Sequence, residues 1–281
     1  MLVDLHLNST FSDGRMPVPE LVAKAKLRGI GLLALCDHDT IEGAGLFKKI
    51  CRQNKIQGVT GVEMSTSHQN NDFHILALNP RHHLLLLKKF LKLEQDKRQS
   101  RARQIIKNFE GAGFFFSATT KNKLFGQPSV GKPQLARAIM AVEQNKKLLK
   151  KLFNFEGRNL SRFIKTFFEK PGALGHVLKP KPESVDVIHL IKKTGAKSVL
   201  AHPDLDFPNE KSATEIITHF KKEGLWGLEL PHIMISQRPF FRRLARQLGL
   251  VLTYGSDSHN GRHLGIKISA QEYKKLFKSL T

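Results

Sequence analysis

Cysteine is scarce in this chain: Cys36 and Cys51 are the only two among 281 residues. That excludes a disulfide scaffold and fits a reducing, cytoplasmic setting. Long apolar runs are missing as well. Stretches such as residues 32–36 and 84–87 fall far short of the roughly 18 residues needed to span a bilayer, so no membrane partner is expected. The first residues lack a basic segment followed by an apolar run and a small-residue cleavage site, so export by that route is not expected either. The third shortage is acid. Only 24 Asp and Glu face 46 Lys and Arg, a formal charge of +22. Such a surplus attracts polyanions, nucleic acid first among them, and points to an anionic substrate. A solvated basic helical surface would give the same count.

The first 80 residues alternate strand-like and helix-like text. VDLHLN, LLALC, VTGVEMST and DFHILAL read as strands, with PVPELVAKAKLRG and IEGAGLFKKICRQNK as helices between the first three. Prolines open the first helix and Gly29 closes it. The rhythm returns late in the chain. SVLAH, WGLEL and LVLTYGS are strands, each preceded by an amphipathic stretch, and SAQEYKKLFKSL is a last helix. Strand and helix in alternation predict a mainly parallel sheet with helices outside. Seven strands suit a closed or nearly closed (β/α) barrel built from residues 1–80 and 176–281. Residues 81–175 carry helical, Lys- and Arg-rich text with little strand signal and are predicted to form a basic helical insertion.

Placed on that reading, side chains able to hold metal collect at strand ends. His6 and Asn8 sit at i and i+2 of the first strand, so they leave the same face. Asp13 follows on the turn-like Ser12-Asp13-Gly14. His38 follows the second strand, Glu63 ends the third and His74 lies in the fourth. His202 ends the fifth, while Asp257 and His259 close the seventh. A lone histidine is ordinarily a packing or surface residue. Barrels of this kind, however, gather the C-terminal ends of their strands on one rim, where active sites form. Asp37 and Asp39 flank His38 and are candidates to orient an imidazole; Asp39-Thr40 would equally suit the cap of the next helix. Trp226 and the phenylalanines at 114–116 would suit either base stacking or core packing.

Taken in order, DLHLNSTFSDG, CDHDT, GVEMS, the histidine of DFHIL, AHP and GSDSH resemble the successive motifs of the polymerase and histidinol phosphatase (PHP) domain. The resemblance runs from residue 2 to about 265. The interruption containing SRARQII and GKPQLARAIM is similar to a branch of bacterial PHP phosphoesterases. That branch acts on nucleotides and RNA 5′ ends and includes 3′,5′-nucleoside bisphosphate and 5′-nucleotide phosphatases and a 5′→3′ exoribonuclease.

The resemblance implies an α/β fold, a PHP-type distorted (β/α)7 barrel with a helical insertion domain. It implies a metal-dependent phosphoesterase with two or three divalent ions, manganese, iron or zinc. One ion would use His6, Asn8, Glu63 and Asp257; a second Glu63, His74 and His202; a third Asp13, His38 and His259. Those histidines and carboxylates would carry catalysis, and Arg101, Lys132 and Arg137 would contact phosphate. The partner would be a nucleotide or short RNA, with non-specific nucleic-acid binding through the basic insertion.

Two departures stand out. The family usually has His-x-His in the first motif, where this chain has Asn8. The branch usually has Arg-Pro-His where this chain has Lys132-Pro133-Gln134. An amide oxygen is a weaker donor than imidazole for a transition metal. A tolerated ligand swap, a site with one weak ion and a retired enzyme all stay open. So do two other functions: a non-catalytic RNA- or nucleotide-binding relic of the fold, and a histidinol-phosphate-type phosphatase, against which the insertion and the charge argue.

Overall fold

The computed structural model describes residues 1–157, 159–230 and 235–280. The chain divides into two compact units, residues 1–91 with 181–281, and residues 92–180.

The larger unit is built on strands β1 (Leu2–Leu7), β2 (Ile30–Leu35), β3 (Gln57–His68), β4 (Asn71–Leu78), β5 (Lys197–Leu200), β6 (Gly227–Glu229), β7 (Val251–Thr253) and β8 (Ile266–Lys267). They form one sheet in the order β7-β6-β5-β4-β3-β2-β1-β8. The seven-strand expectation therefore falls one short among the described residues. β8 has two residues, antiparallel to β1, too few to show any period in sequence. β1, β2 and β3 pair in parallel, as do β5, β6 and β7. β4 runs antiparallel to both its neighbours. The β3–β4 reversal turns on Gln69 and Asn70, with φ of 50° and 63°, and His68 pairs with Asn71 across it. Two positive-φ residues between paired strands make the turn whose twist matches a hairpin.

The sheet curls. Leu5 N donates to Tyr254 O at 2.8 Å and Asn8 N to Ser258 O at 3.3 Å, so the segment after β7 reaches β1. Helices α1 (Val18–Leu27), α2 (Ala44–Gln53), α8 (Ser184–Lys193), α9 (Glu210–Lys222), α10 (Arg238–Gln247) and α11 (Ala270–Leu280) belong to this unit. Strand text buried on both faces, such as β2 with the adjacent Leu32 and Leu33 fully inside, is what helix-covered parallel sheets require. Trp226 packs against this core.

The smaller unit holds α4 (Ala118–Phe125), α5 (Lys132–Ala141), α6 (Glu143–Phe153) and α7 (Leu160–Ile164), with the later turns of α3 (Leu84–Gly111). Early in α3, Leu87 and Leu91 belong to the core of the larger unit; later, Ile105 and Phe109 belong to a second core with Phe114, Phe116, Phe163, Phe167 and Phe168. The first boundary, 91/92, thus falls within α3, where no turn residue marks it, while the second, 180/181, lies between Pro180 and Pro182 in the segment before α8. The Phe163 and Phe167 rings lie 4.6 Å apart, the close aromatic packing a small helical core relies on.

Candidate metal centre

Each motif reaches the rim by a local device. Asp39 N donates to Glu63 O at 2.9 Å and Glu63 N to Asp37 O at 3.2 Å, extending the β2–β3 pairing so that His38 lies opposite Glu63. The β3–β4 register sets His74 against Ser65, one diagonal step from Glu63 on the same face. His202, Asp257 and Asp39 take positive φ, 26°, 47° and 51°. These turns redirect side chains that a regular strand would send elsewhere, and strain of this kind collects at functional sites.

Glu63 is the hub. Its fully buried carboxylate lies 3.0 Å from His6 Nε2, 3.3 Å from His38 Nδ1, 2.9 Å from His74 Nδ1 and 3.2 Å from His202 Nε2. Asp257 Oδ1 lies 3.4 Å from His6 Nε2, and Asp13 Oδ1 lies 3.1 Å from His259 Nε2. Three groups have ligand atoms close enough to share an ion: Asp13, His38 and His259; His38, Glu63 and His74; His6, Glu63 and Asp257. His202 Nε2 completes the cluster, 3.1 Å from His74 Nδ1. All eight histidines and carboxylates singled out from the sequence thus stand together.

Asn8 stands differently. Its Nδ2 donates to Asp257 Oδ1 at 3.0 Å, and Ser12 Oγ donates to its Oδ1 at 3.4 Å. It meets the cluster through Asp257. Asp37 differs from expectation, and neither acid is a helix cap. Asp37 accepts from Ser9 N, Ser9 Oγ and Ser12 Oγ at 2.6–2.7 Å, which ties down the loop carrying Asp13. Asp39 accepts from Ser65 N at 3.3 Å. Neither residue caps the next helix, because α2 begins only at Ala44.

Two carboxylates were missed. Glu229 is fully buried; both its oxygens lie 3.2 Å from His6 Nδ1, and Oε2 accepts from His202 N at 2.8 Å. The available signal was an acid inside the otherwise apolar WGLEL. Asp4, also fully buried, accepts from Ser256 N, Ser256 Oγ and Gly265 N at 2.7–2.9 Å and pins the GSDSH turn. That turn needs Gly255. A Cβ there would come within 2.2 Å of Glu229 Oε1 and 3.0 Å of the His6 backbone nitrogen.

The electrostatics call for cations. Burial alone would raise the Glu63 carboxyl, but the His38, His6 and His74 imidazoles outweigh it and hold it well below the usual range. Burial opposes charge on His6 too, yet Glu63, Glu229 and Asp257 lift it well above its ordinary value. By the same balance His202 rises to about 9 beside Glu63, and His259 to about 10 beside Asp13. Asp13 is held well below the usual range by His38 and His259, against its burial. His6 Nε2 and Glu63 Oε2 lie 3.0 Å apart without forming a hydrogen bond. Buried donor atoms normally find partners, and two lone pairs facing each other repel unless a cation or proton lies between them. The donor set and these atoms fit divalent metal.

Lys132 opens α5 with its Nζ 3.5 Å from Glu169 Oε1, and Arg101 and Arg137 lie on α3 and α5, half-buried like Lys132. All three belong to the 92–180 unit. Gln134 is committed locally: its Oε1 accepts from Gly131 N at 2.6 Å and its Nε2 donates to Ser129 O at 2.9 Å.

Residues 4–167 match the PHP domain. The chain is 29% identical over 258 residues to a 5′-3′ exoribonuclease of Haemophilus influenzae, covering 91% of this chain and 89% of that protein. It is 26% identical over 274 residues to a 3′,5′-nucleoside bisphosphate phosphatase of Chromobacterium violaceum, covering 94% and 90%. A solved structure of an amidohydrolase from Chromobacterium violaceum superposes with a TM-score of 0.82 at 24% identity, covering 99% of this chain and 97% of that one. This last likeness is one of fold.

Proposed function

The chain belongs to the PHP domain family and is a metal-dependent phosphoesterase, and on that premise we propose that it hydrolyses phosphate esters of nucleotides or works at the 5′ ends of short RNA. The nucleotides would be 5′-nucleotides or 3′,5′-bisphosphates. The observation that carries this reading is Glu63, one buried carboxylate within 3.3 Å of four imidazoles. Its assigned partners are His6 and Asp257 for one ion, His74 and His202 for a second, and Asp13, His38 and His259 for a third that lies beside it. Mixed imidazole and carboxylate donors suit manganese, iron or zinc. Asn8 turns its amide nitrogen towards Asp257, which favours two well-held ions over three.

Bound divalent ions in such a shell supply charge neutralisation for phosphoryl oxygens and lower the pKa of water. The chain's own residues do the rest. Glu229 holds His6, and Asp37 fixes the loop that carries Asp13. Arg101, Lys132 and Arg137 are assigned to phosphate; the arginines offer a two-pronged fork and Lys132 a point charge. The formal charge of +22 concentrates polyanions near the surface. The substrates of the exoribonuclease and the bisphosphate phosphatase named above support the class.

The test is metal analysis of purified protein, alongside a screen for phosphate and nucleotide release from mononucleotides, bisphosphates and 5′-phosphorylated oligonucleotides. Asp13→Ala, His38→Ala and His259→Ala should each lose metal and activity while staying folded. Full occupancy and activity in all three variants would sink the assignment.

A further inference from the structure

We infer that the 92–180 unit carries a binding surface for single-stranded nucleic acid, made by the exposed ring of Phe115 and the lysine-bearing helix α6. This rests on the nucleotide or RNA reading above.

The first observation is charge. Residues 92–180 contain 19 Lys and Arg against six Asp and Glu. Four of those lysines, Lys146, Lys147, Lys150 and Lys151, lie on the short helix α6. They form two pairs spaced i, i+4, so each pair shares a face.

The second observation is an aromatic ring left in water. Phe114 and Phe116 are 3% and 5% exposed, whereas Phe115 between them is 49% exposed. Its backbone is held firmly: Phe115 N donates to Asn145 Oδ1 at 2.8 Å, and Asn145 Nδ2 donates back to Phe115 O at 2.9 Å. Asn145 is itself fully buried on α6 and also donates to Ile139 O at 3.2 Å. A buried amide with three hydrogen bonds therefore presents this ring beside the lysine helix.

The third observation is a groove of about 410 Å³ along α6, with Met140, Leu149 and Phe155 as apolar floor and Lys146, Lys147 and Lys150 at its side. Two carboxylates share it. Lys146 pairs with Glu143 at 2.8 Å and Lys150 with Glu156 at 2.7 Å.

Apolar faces interleaved with lysines match a strand whose bases are unstacked, since bases stack on rings while lysines follow the phosphates. A paired duplex hides its base faces and would leave Phe115 unused. The groove has the volume of a nucleotide-sized pocket. Phe115 lies outside the groove's lining, so ring and groove are separate contacts about α6, and single-stranded RNA is the occupant long enough to use both together with the charge.

The test measures binding of a 5′-phosphorylated 12-mer RNA to the full chain by fluorescence anisotropy across a salt series, with turnover of a 3′,5′-bisphosphate followed in parallel. Phe115→Ala removes an exposed ring and leaves both Asn145 hydrogen bonds. Lys147→Glu with Lys151→Glu spares the Glu143 and Glu156 pairs. Phe115→Ala should weaken strand binding by about 5- to 150-fold, the range for one lost stacking contact. The lysine double variant should weaken it and flatten the salt slope by about 1.4, two single-strand phosphate contacts. Bisphosphate turnover should hold in both.

Wild-type affinity for the strand in both variants would overturn the surface, as would equal binding of a blunt duplex with no effect of Phe115→Ala. Selective binding of anionic vesicles over RNA would overturn it too. A wild-type protein that hydrolyses nucleotides and RNA while the variants change nothing refutes the surface alone. One that binds the strand through these residues but hydrolyses neither nucleotide nor RNA refutes the proposed function alone.

Discussion

Replacing Glu229 by glutamine should loosen metal binding as well as cost the fold some stability. Both carboxylate oxygens lie 3.2 Å from His6 Nδ1, and Oε2 also accepts from His202 N at 2.8 Å. An ionised carboxylate satisfies both donors at once. Glutamine has only one oxygen. If that oxygen serves His202 N, the amide NH₂ faces His6 Nδ1 and favours the tautomer with hydrogen on Nε2, the atom 3.0 Å from Glu63. If it serves His6, the NH₂ meets His202 N, donor against donor, in a fully buried place. An unmet buried donor costs about 1–3 kcal/mol, and loss of a partner behind a ligating histidine typically costs 10- to 100-fold in metal affinity. At about 1.4 kcal/mol per decade that is roughly 1.4–2.7 kcal/mol of binding. The assay titrates metal-free protein with Mn²⁺ or Zn²⁺ against a competing chelator, with thermal unfolding of each metal-free variant as the control. Wild-type affinity in a folded Glu229→Gln protein would refute the reasoning. So would a loss of thermal stability with no change in affinity, because Glu229 would then act only on the fold.

Asn8→His removes the amide hydrogen bond to Asp257 and offers an imidazole; metal stoichiometry or the affinity of the weakest ion should rise, and no change by calorimetry would show that position 8 does not limit binding. The metal-free protein should lose stability as pH rises. His202 and His259 have folded pKa values of about 9 and 10 against an ordinary 6.5, so their contribution is complete below about 6.5 and fades through 9–10. Thermal melts of metal-free protein between pH 6 and 10 should fall accordingly, and a flat series would contradict these shifts. Metal binding, which displaces those protons, should tighten over the same range; proton release measured in two buffers of different ionisation enthalpy checks it. Gly255→Ala should cost both stability and metal, because its Cβ would collide with Glu229 and β1; an unaltered melt and full metal content would show that the turn can shift.

Much of the site could be read from the chain. Period-2 text around His6 and the recurrence of His, Asp or Glu at strand ends follow from local backbone geometry, which sequence encodes directly. The glycine-closed helix after β1 and the absence of a long apolar helix are equally local; among the described residues no helix is long and apolar enough to cross a membrane. Other features were hidden. β8 is two residues long, too short to show a period, and the first unit boundary falls inside the continuous helix α3, where nothing punctuates it.

Residue types and spacing by themselves determined an α/β chain with its metal-type donors at strand ends and its basic surplus concentrated in helical text. Only the tertiary structure decided who meets whom. The antiparallel β4 sets His74 diagonal to Glu63, and the curl of the sheet brings the segment after β7 back to β1. That curl also brings Glu229, an acid in an apolar strand, behind His6 across 223 residues. Pairing direction and curl arise from packing between distant segments. A side chain's role as ligand, support or bystander is fixed by those contacts, and no local pattern records them.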